Sequence, residues 1–111
     1  MEMKQTELEG GVLKVDLAGS FDIAGSGDVD LRFSLIGGKR DKVIVDFTKV
    51  TFLASIGIRV LVKAAKAMAN RGGKMVVLNP NEAARRVLKS TGVDSVIPVV
   101  ATEAEAVAAL R

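Results

Sequence analysis

The stretch Asp46-Phe47-Thr48-Lys49-Val50-Thr51-Phe52-Leu53-Ala54-Ser55-Ile56-Gly57-Ile58-Arg59 decides the fold. It leads from a buried-type strand, Val43 to Phe47, through a short apolar loop into a strongly patterned helix. Val43-Ile44-Val45 is a continuous apolar run, which suits a strand covered by helices in a parallel sheet. After Gly57, residues Ile58, Leu61, Val62, Ala65, Met68 and Ala69 follow helical spacing on one face. Arg59, Lys63, Lys66 and Asn70 fall on the other. Ser55 stands at the junction, where helix N–H groups lack partners and the helix dipole is positive. A serine is favoured there as an N-cap on stability grounds alone, and the same place suits a phosphate. The residues leave both readings open.

Upstream, Leu13, Val15 and Leu17 alternate with Lys14 and Asp16, the period of a half-buried strand. Gly10-Gly11 predicts a hairpin back onto residues 3 to 8. Between the two strands, Val29 with Phe33 and Ile36, or Leu31 with Leu35, fits a helix, although Val29, Leu31, Phe33 and Leu35 also alternate. The βαβ pattern around this segment decides for a crossover helix. Downstream, Gly72-Gly73 ends the central helix and Met75 to Leu78 reads as another covered strand. The next helix is expected to take Asn79 as its cap, Pro80 in its first turn and Glu82 three residues after the cap. Its buried side is Ala83, Ala84, Val87 and Leu88, and Gly92 stops it. Thr102-Glu103-Ala104-Glu105 is a capping-box pattern opening a last helix that turns Val107 and Leu110 inward. The prediction is a single α/β domain over residues 1–111, with a small mixed sheet, parallel at its centre and packed by about four helices.

The 111 residues are 49% hydrophobic, enough for one domain with its own core. Cysteine and histidine are absent, which removes thiolate chemistry, cysteine-type zinc sites and the usual general base near neutral pH. No catalytic residue, metal ligand or cofactor is assigned. The charge of +3 is small and scattered, and Trp and Tyr are missing, so a nucleic-acid partner is not expected. Met1 to Gln5 lacks the apolar core of a signal peptide, and no apolar run approaches a membrane span. A cytoplasmic protein with no membrane insertion is the expectation. Gly25-Ser26-Gly27 lacks the Lys of a phosphate loop, and Gly19 and Gly25 read as turn residues.

Among the charged residues, Asp22 suits a turn or the cap of the following helix. Asp46 reads as the end of a strand and an anchor for the adjoining loop. Arg59, Lys63 and Lys66 form a basic stripe next to Ser55 that could steer an acidic partner. Arg85, Arg86 and Lys89 read as solvated surface.

Three ordered blocks resemble the STAS domain family of anti-sigma factor antagonists. The first is the Val43–Leu53 strand and loop followed by Ala54-Ser55-Ile56-Gly57, similar to the family's Asp-Ser-(Ser/Thr)-Gly. The second is Leu17-Ala18-Gly19-Ser20-Phe21-Asp22. The third is Leu78-Asn79-Pro80 followed by Val87-Leu88-Lys89-Ser90-Thr91-Gly92-Val93. Together they span roughly residues 11 to 99. Ala54 stands where the family carries an acidic residue, and Ile56 where it carries Ser or Thr.

The resemblance implies a STAS fold and a binding domain that catalyses nothing. Its implied partner is an anti-sigma factor or serine kinase of the histidine-kinase-like ATPase type, which would phosphorylate Ser55; a phosphatase would restore binding. The implied partner surface comprises Asp22, Phe52, Leu53, Ala54, Ser55, Ile56, Gly57, Arg59 and Lys63, with Asp46 in support. A weak homodimer through apolar surface is compatible with it. The family also includes small subunits of lipid-transport ATPases and signalling scaffolds. A constitutive, unphosphorylated subunit is therefore the alternative reading, which Ala54 and Ile56 favour.

Overall fold

A computed structural model describes residues 1–111. Five strands lie in the order β1-β2-β3-β4-β5. They are β1 (Glu2–Glu7), β2 (Val12–Phe21), β3 (Lys42–Leu53), β4 (Lys74–Leu78) and β5 (Val99–Val100). The helices are α1 (Ile23–Lys39), α2 (Ser55–Ala69), α3 (Glu82–Ser90) and α4 (Glu103–Ala109). The expected hairpin is present: β1 runs antiparallel to β2, joined through Gly10 and Gly11, both at positive φ. All other neighbours are parallel. This is the predicted mixed sheet with a parallel centre and four helices.

Alternation along the strands sorts the core into two layers. Leu13, Val15 and Leu17 of β2, with Val43, Val45 and Phe47 of β3, face α1, α2 and α3. There Phe21 stacks near Phe33, ring centroids 6.3 Å apart, and lies equally close to Phe47. Ile44 and Val76 point the other way, onto Ala106 of α4 and Leu110 just after it. β3 and β4 are thus covered on both faces, which is why their sequences are continuously apolar rather than alternating. On the α4 side of β2, Lys14 and Asp16 remain only partly covered.

Several elements differ from the sequence reading, each for a local reason. The segment after Phe47 is not a loop. β3 continues to Leu53, because register shifts beside Gly19 (φ 109°) let Ala18–Phe21 of β2 pair with Lys49–Leu53. Val29, Phe33 and Ile36 are the buried stripe of α1, and Leu31 and Leu35 stay exposed. Gly25 lies inside α1 rather than in a turn; a Cβ there would collide with the Ser20 carbonyl oxygen. The buried stripe of α2 is Gly57, Val60, Leu61, Ala64, Ala65 and Met68, so it is rotated from the expected face and Ala69 is exposed. Gly37 of α1 packs directly on Ala64, which lets the two helices approach closely there.

In α3 the cap is Asn81, accepting from Ala84 N–H at 2.8 Å, not Asn79. Asn79 has φ 52° and donates its amide to Thr48, and Pro80 precedes the helix. Ala83 is exposed; only Ala84 and Leu88 of α3 are buried. The capping box of Thr102 and Glu105 forms as expected. The short β5 carried no readable pattern.

Candidate functional site

The ends of β2 and β3 meet side by side, and a helix starts from each. Ser20 pairs with Phe52 and Phe21 with Leu53. Ala54 N–H then donates to the Phe21 carbonyl at 3.0 Å, tying the start of α2 to the end of β2. Gly57 permits this approach. A Cβ there would lie 2.8 Å from the Phe21 ring and 2.9 Å from its carbonyl oxygen. Open α/β sheets characteristically place binding sites outside the carboxyl ends of their parallel strands, and this junction is such an edge.

Ser55 is the first residue of α2 and is exposed. Of the two readings the sequence leaves open for Ser55, the capping one is not met: Ala54 occupies the cap position, and no side chain caps α2. The helical ladder starts with Gly57 and Ile58 N–H on the Ala54 carbonyl, at 3.0 and 3.2 Å. The Ser55 hydroxyl is therefore displayed on a helix start without being used to hold it.

Asp22 does cap its helix. Its carboxylate accepts from Gly25 N–H at 2.8 Å and from the Ser20 hydroxyl at 3.1 Å. Those two hydrogen bonds, the Gly25 one foremost, hold its pKa below the ordinary carboxylate value. Because Asp22 follows Phe21, the capped start of α1 and the uncapped start of α2 share one rim.

Of the other predicted residues, Phe52 is 55% exposed, Ala54 and Ile56 are half-buried and Arg59 is exposed. Lys63 is exposed and lies 3.4 Å from Asp30 of α1. Leu53 and Gly57 are buried and support the rim from beneath rather than lining it. Asp46 does not end its strand. β3 runs on past it to Leu53, on the order of 20 Å further. Its carboxylate accepts from Thr48 N–H and Oγ1 at 2.8 and 2.6 Å and lies 3.5 Å from Lys14 Nζ. Burial pushes its pKa up, but the Thr48 hydrogen bonds and the Lys14 charge outweigh that and hold it low.

One rim residue was not read from the sequence. Ile23, the first residue of α1, is 81% exposed beside Asp22. The signal was available in the helix phase: counting back from Ile36, Phe33 and Val29, position 23 falls off the buried stripe.

A family model described as the STAS domain matches residues 3–106. A Thermotoga maritima protein, named as a candidate anti-sigma factor antagonist, is 28% identical over 71 residues. That match covers 64% of this chain and 63% of the length of the relative. An anti-sigma factor antagonist from Mycobacterium paratuberculosis has the same fold, with TM-score 0.83 and 23% identity, covering 99% of this chain and 95% of that one. The anti-sigma factor antagonist SpoIIAA in its unphosphorylated form gives 0.80 at 20% identity, covering 96% and 93%. The phosphorylated form of Bacillus SpoIIAA gives 0.76 at 20%, covering 99% and 100%. At such identities these structures establish the fold, while the match over residues 3–106 establishes the family: this chain belongs to the STAS domain family.

Proposed function

We propose that residues 1–111 form one regulatory binding domain, an anti-sigma factor antagonist that acts in the cytoplasm. It docks through the rim of Ile23, Phe52, Ser55 and Ile56 on an anti-sigma factor that is also a serine kinase of the histidine-kinase-like ATPase type. One observation carries the reading: an exposed serine at a helix start, released from capping and flanked by an exposed phenylalanine. The apolar rim supplies contact area and Arg59 a positive border. In the switching step, Ser55 Oγ bonds to the γ-phosphorus of the kinase's ATP and the β–γ bridging bond breaks. ADP leaves, and the hydroxyl proton passes to a base of the kinase. A phosphatase reverses the modification by hydrolysis.

A phosphate adds about −1.5 to −2 charges. Beside Phe52 and Ile56 it opposes the desolvation that an apolar contact requires, so the partner is released while α2 persists. SpoIIAA, solved with and without its phosphate, supports the same logic by its shared fold.

Incubation with the cognate kinase and ATP, followed by intact mass, is expected to show one added phosphate, lost in Ser55→Ala. An unchanged mass with a demonstrably active kinase would end the switch. The constitutive subunit is the second reading, favoured by Ala54 and Ile56 in place of the family's polar residues. Binding lost in Ser55→Asp but kept in Ser55→Ala supports the switch; a complex indifferent to both supports the constitutive subunit.

A further inference from the structure

One turn of helix after Ser55 stands a cation that no carboxylate claims. Arg59 lies four residues further along the 15-residue α2, so both side chains leave from one face. Helical side chains lean toward the N-terminus, which carries a long arginine over the residue one turn earlier. Arg59 is exposed and takes part in none of the ion pairs, whereas Arg40, Arg71 and Arg86 each hold a carboxylate. The first turn of α2 has no acidic residue to claim it. Ala54 removes the negative charge that the family's motif places beside the serine. Across the rim, the Asp22 carboxylate is engaged by Gly25 N–H and the Ser20 hydroxyl. Lys63, one further turn along, is shared with Asp30.

We propose that Arg59 receives the phosphate of modified Ser55, pairing with it across one helical turn and keeping the start of α2 ordered in the released state. The inference rests on the reading of Ser55 as a phosphorylation site. An anion one turn N-terminal to a cation is the favoured order on a helix. The guanidinium fork matches two phosphate oxygens, which an ammonium cannot do. Ala54 leaves no carboxylate beside the serine, and Arg59 stands one turn on as a candidate counter-charge. The chain lacks a carboxylate that would repel the phosphate and supplies its counter-charge from within. The modified domain then dissociates by changing its surface, not by melting α2.

Genetically encoded phosphoserine at position 55, installed without any kinase, separates this proposal from the kinase reading. A phosphorus NMR titration at low salt reads the phosphate's second pKa. It is expected to lie roughly 0.2 to 0.4 units lower in the parent than in Arg59→Ala, with Arg59→Lys between them. In about 1 M salt the difference should collapse. Lys63→Ala should leave the titration where it is. Equal titrations of the parent and Arg59→Ala at low salt would overturn the proposal and leave kinase recognition untouched. The shift, found in a protein that no kinase modifies, would uphold the pairing and remove only its physiological trigger.

Discussion

Ser55 and Asn81 show how a one-residue displacement changes what a side chain does. Both lie at helix starts, but Asn81 occupies the cap position and Ser55 the first helical position. Asn81 accepts from Ala84 N–H and donates to the Val50 carbonyl at 3.3 Å, tying α3 to β3. Asn81→Ala is therefore expected to cost about 1 kcal/mol, the usual loss of an N-cap. Ser55→Ala should change stability by less than ~0.5 kcal/mol, as for an exposed residue outside such features. Urea denaturation of the two variants checks the pair. A Ser55→Ala cost equal to that of Asn81→Ala would show the hydroxyl to be structural after all. The sequence names the residue types that suit a helix start but not which of them sits at the cap. That is settled by backbone angles: Asn79 is turned aside at φ 52° and Asn81 takes the extended conformation of a cap.

At the scale of elements, the site depends on α2 reaching the end of β2. Gly57 allows that approach, since a methyl group would meet the Phe21 ring and its carbonyl oxygen below contact distance. Gly57→Ala is expected to destabilise the protein by about 1–3 kcal/mol, as overpacking of a tight core does. It should also weaken partner binding beyond that loss, because it shifts Ser55 relative to Asp22. Denaturation together with a binding isotherm checks both effects. A variant as stable as the parent would mean that the first turn of α2 yields freely. Helical phase made α2 legible, the βαβ pattern decided α1, whose own phase was ambiguous, and the capping box made α4 legible. The second half of β3 was not, because Thr48 to Leu53 has no clear period of its own. It becomes a strand only by pairing with the irregular end of β2.

Across the whole molecule, Lys14 links layers that are far apart in sequence. Its ammonium lies 2.8 Å from Glu103 of α4, 3.5 Å from Asp46 of β3 and 4.0 Å from Asp16 of its own strand. The Glu103 hydrogen bond, and then the surrounding carboxylates, raise its pKa despite some burial. Its contribution is therefore complete below the ordinary value of 10.5 and is lost only as pH rises through the higher folded value. Asp46 has the opposite sign. Its folded pKa is depressed below 3.8, so its contribution holds above that pH and disappears as pH falls through the folded value. Urea unfolding of the parent should weaken as pH drops below about 4, where carboxylates begin to protonate. Asp46→Asn should flatten that decline, and an unchanged slope would remove Asp46 from the acid response.

The amino-acid sequence by itself determined the alternation of strands and helices, because apolar periodicity depends only on neighbours along the chain. It also marked Ser55 by residue type and place. Tertiary structure alone decided that Ser55 is released from capping, that Ile23 joins its rim and that Asp46 serves a distant ion cluster. Those outcomes depend on strand register and on the close approaches at Gly37 and Gly57, which join segments separated by many residues and leave no local period to read.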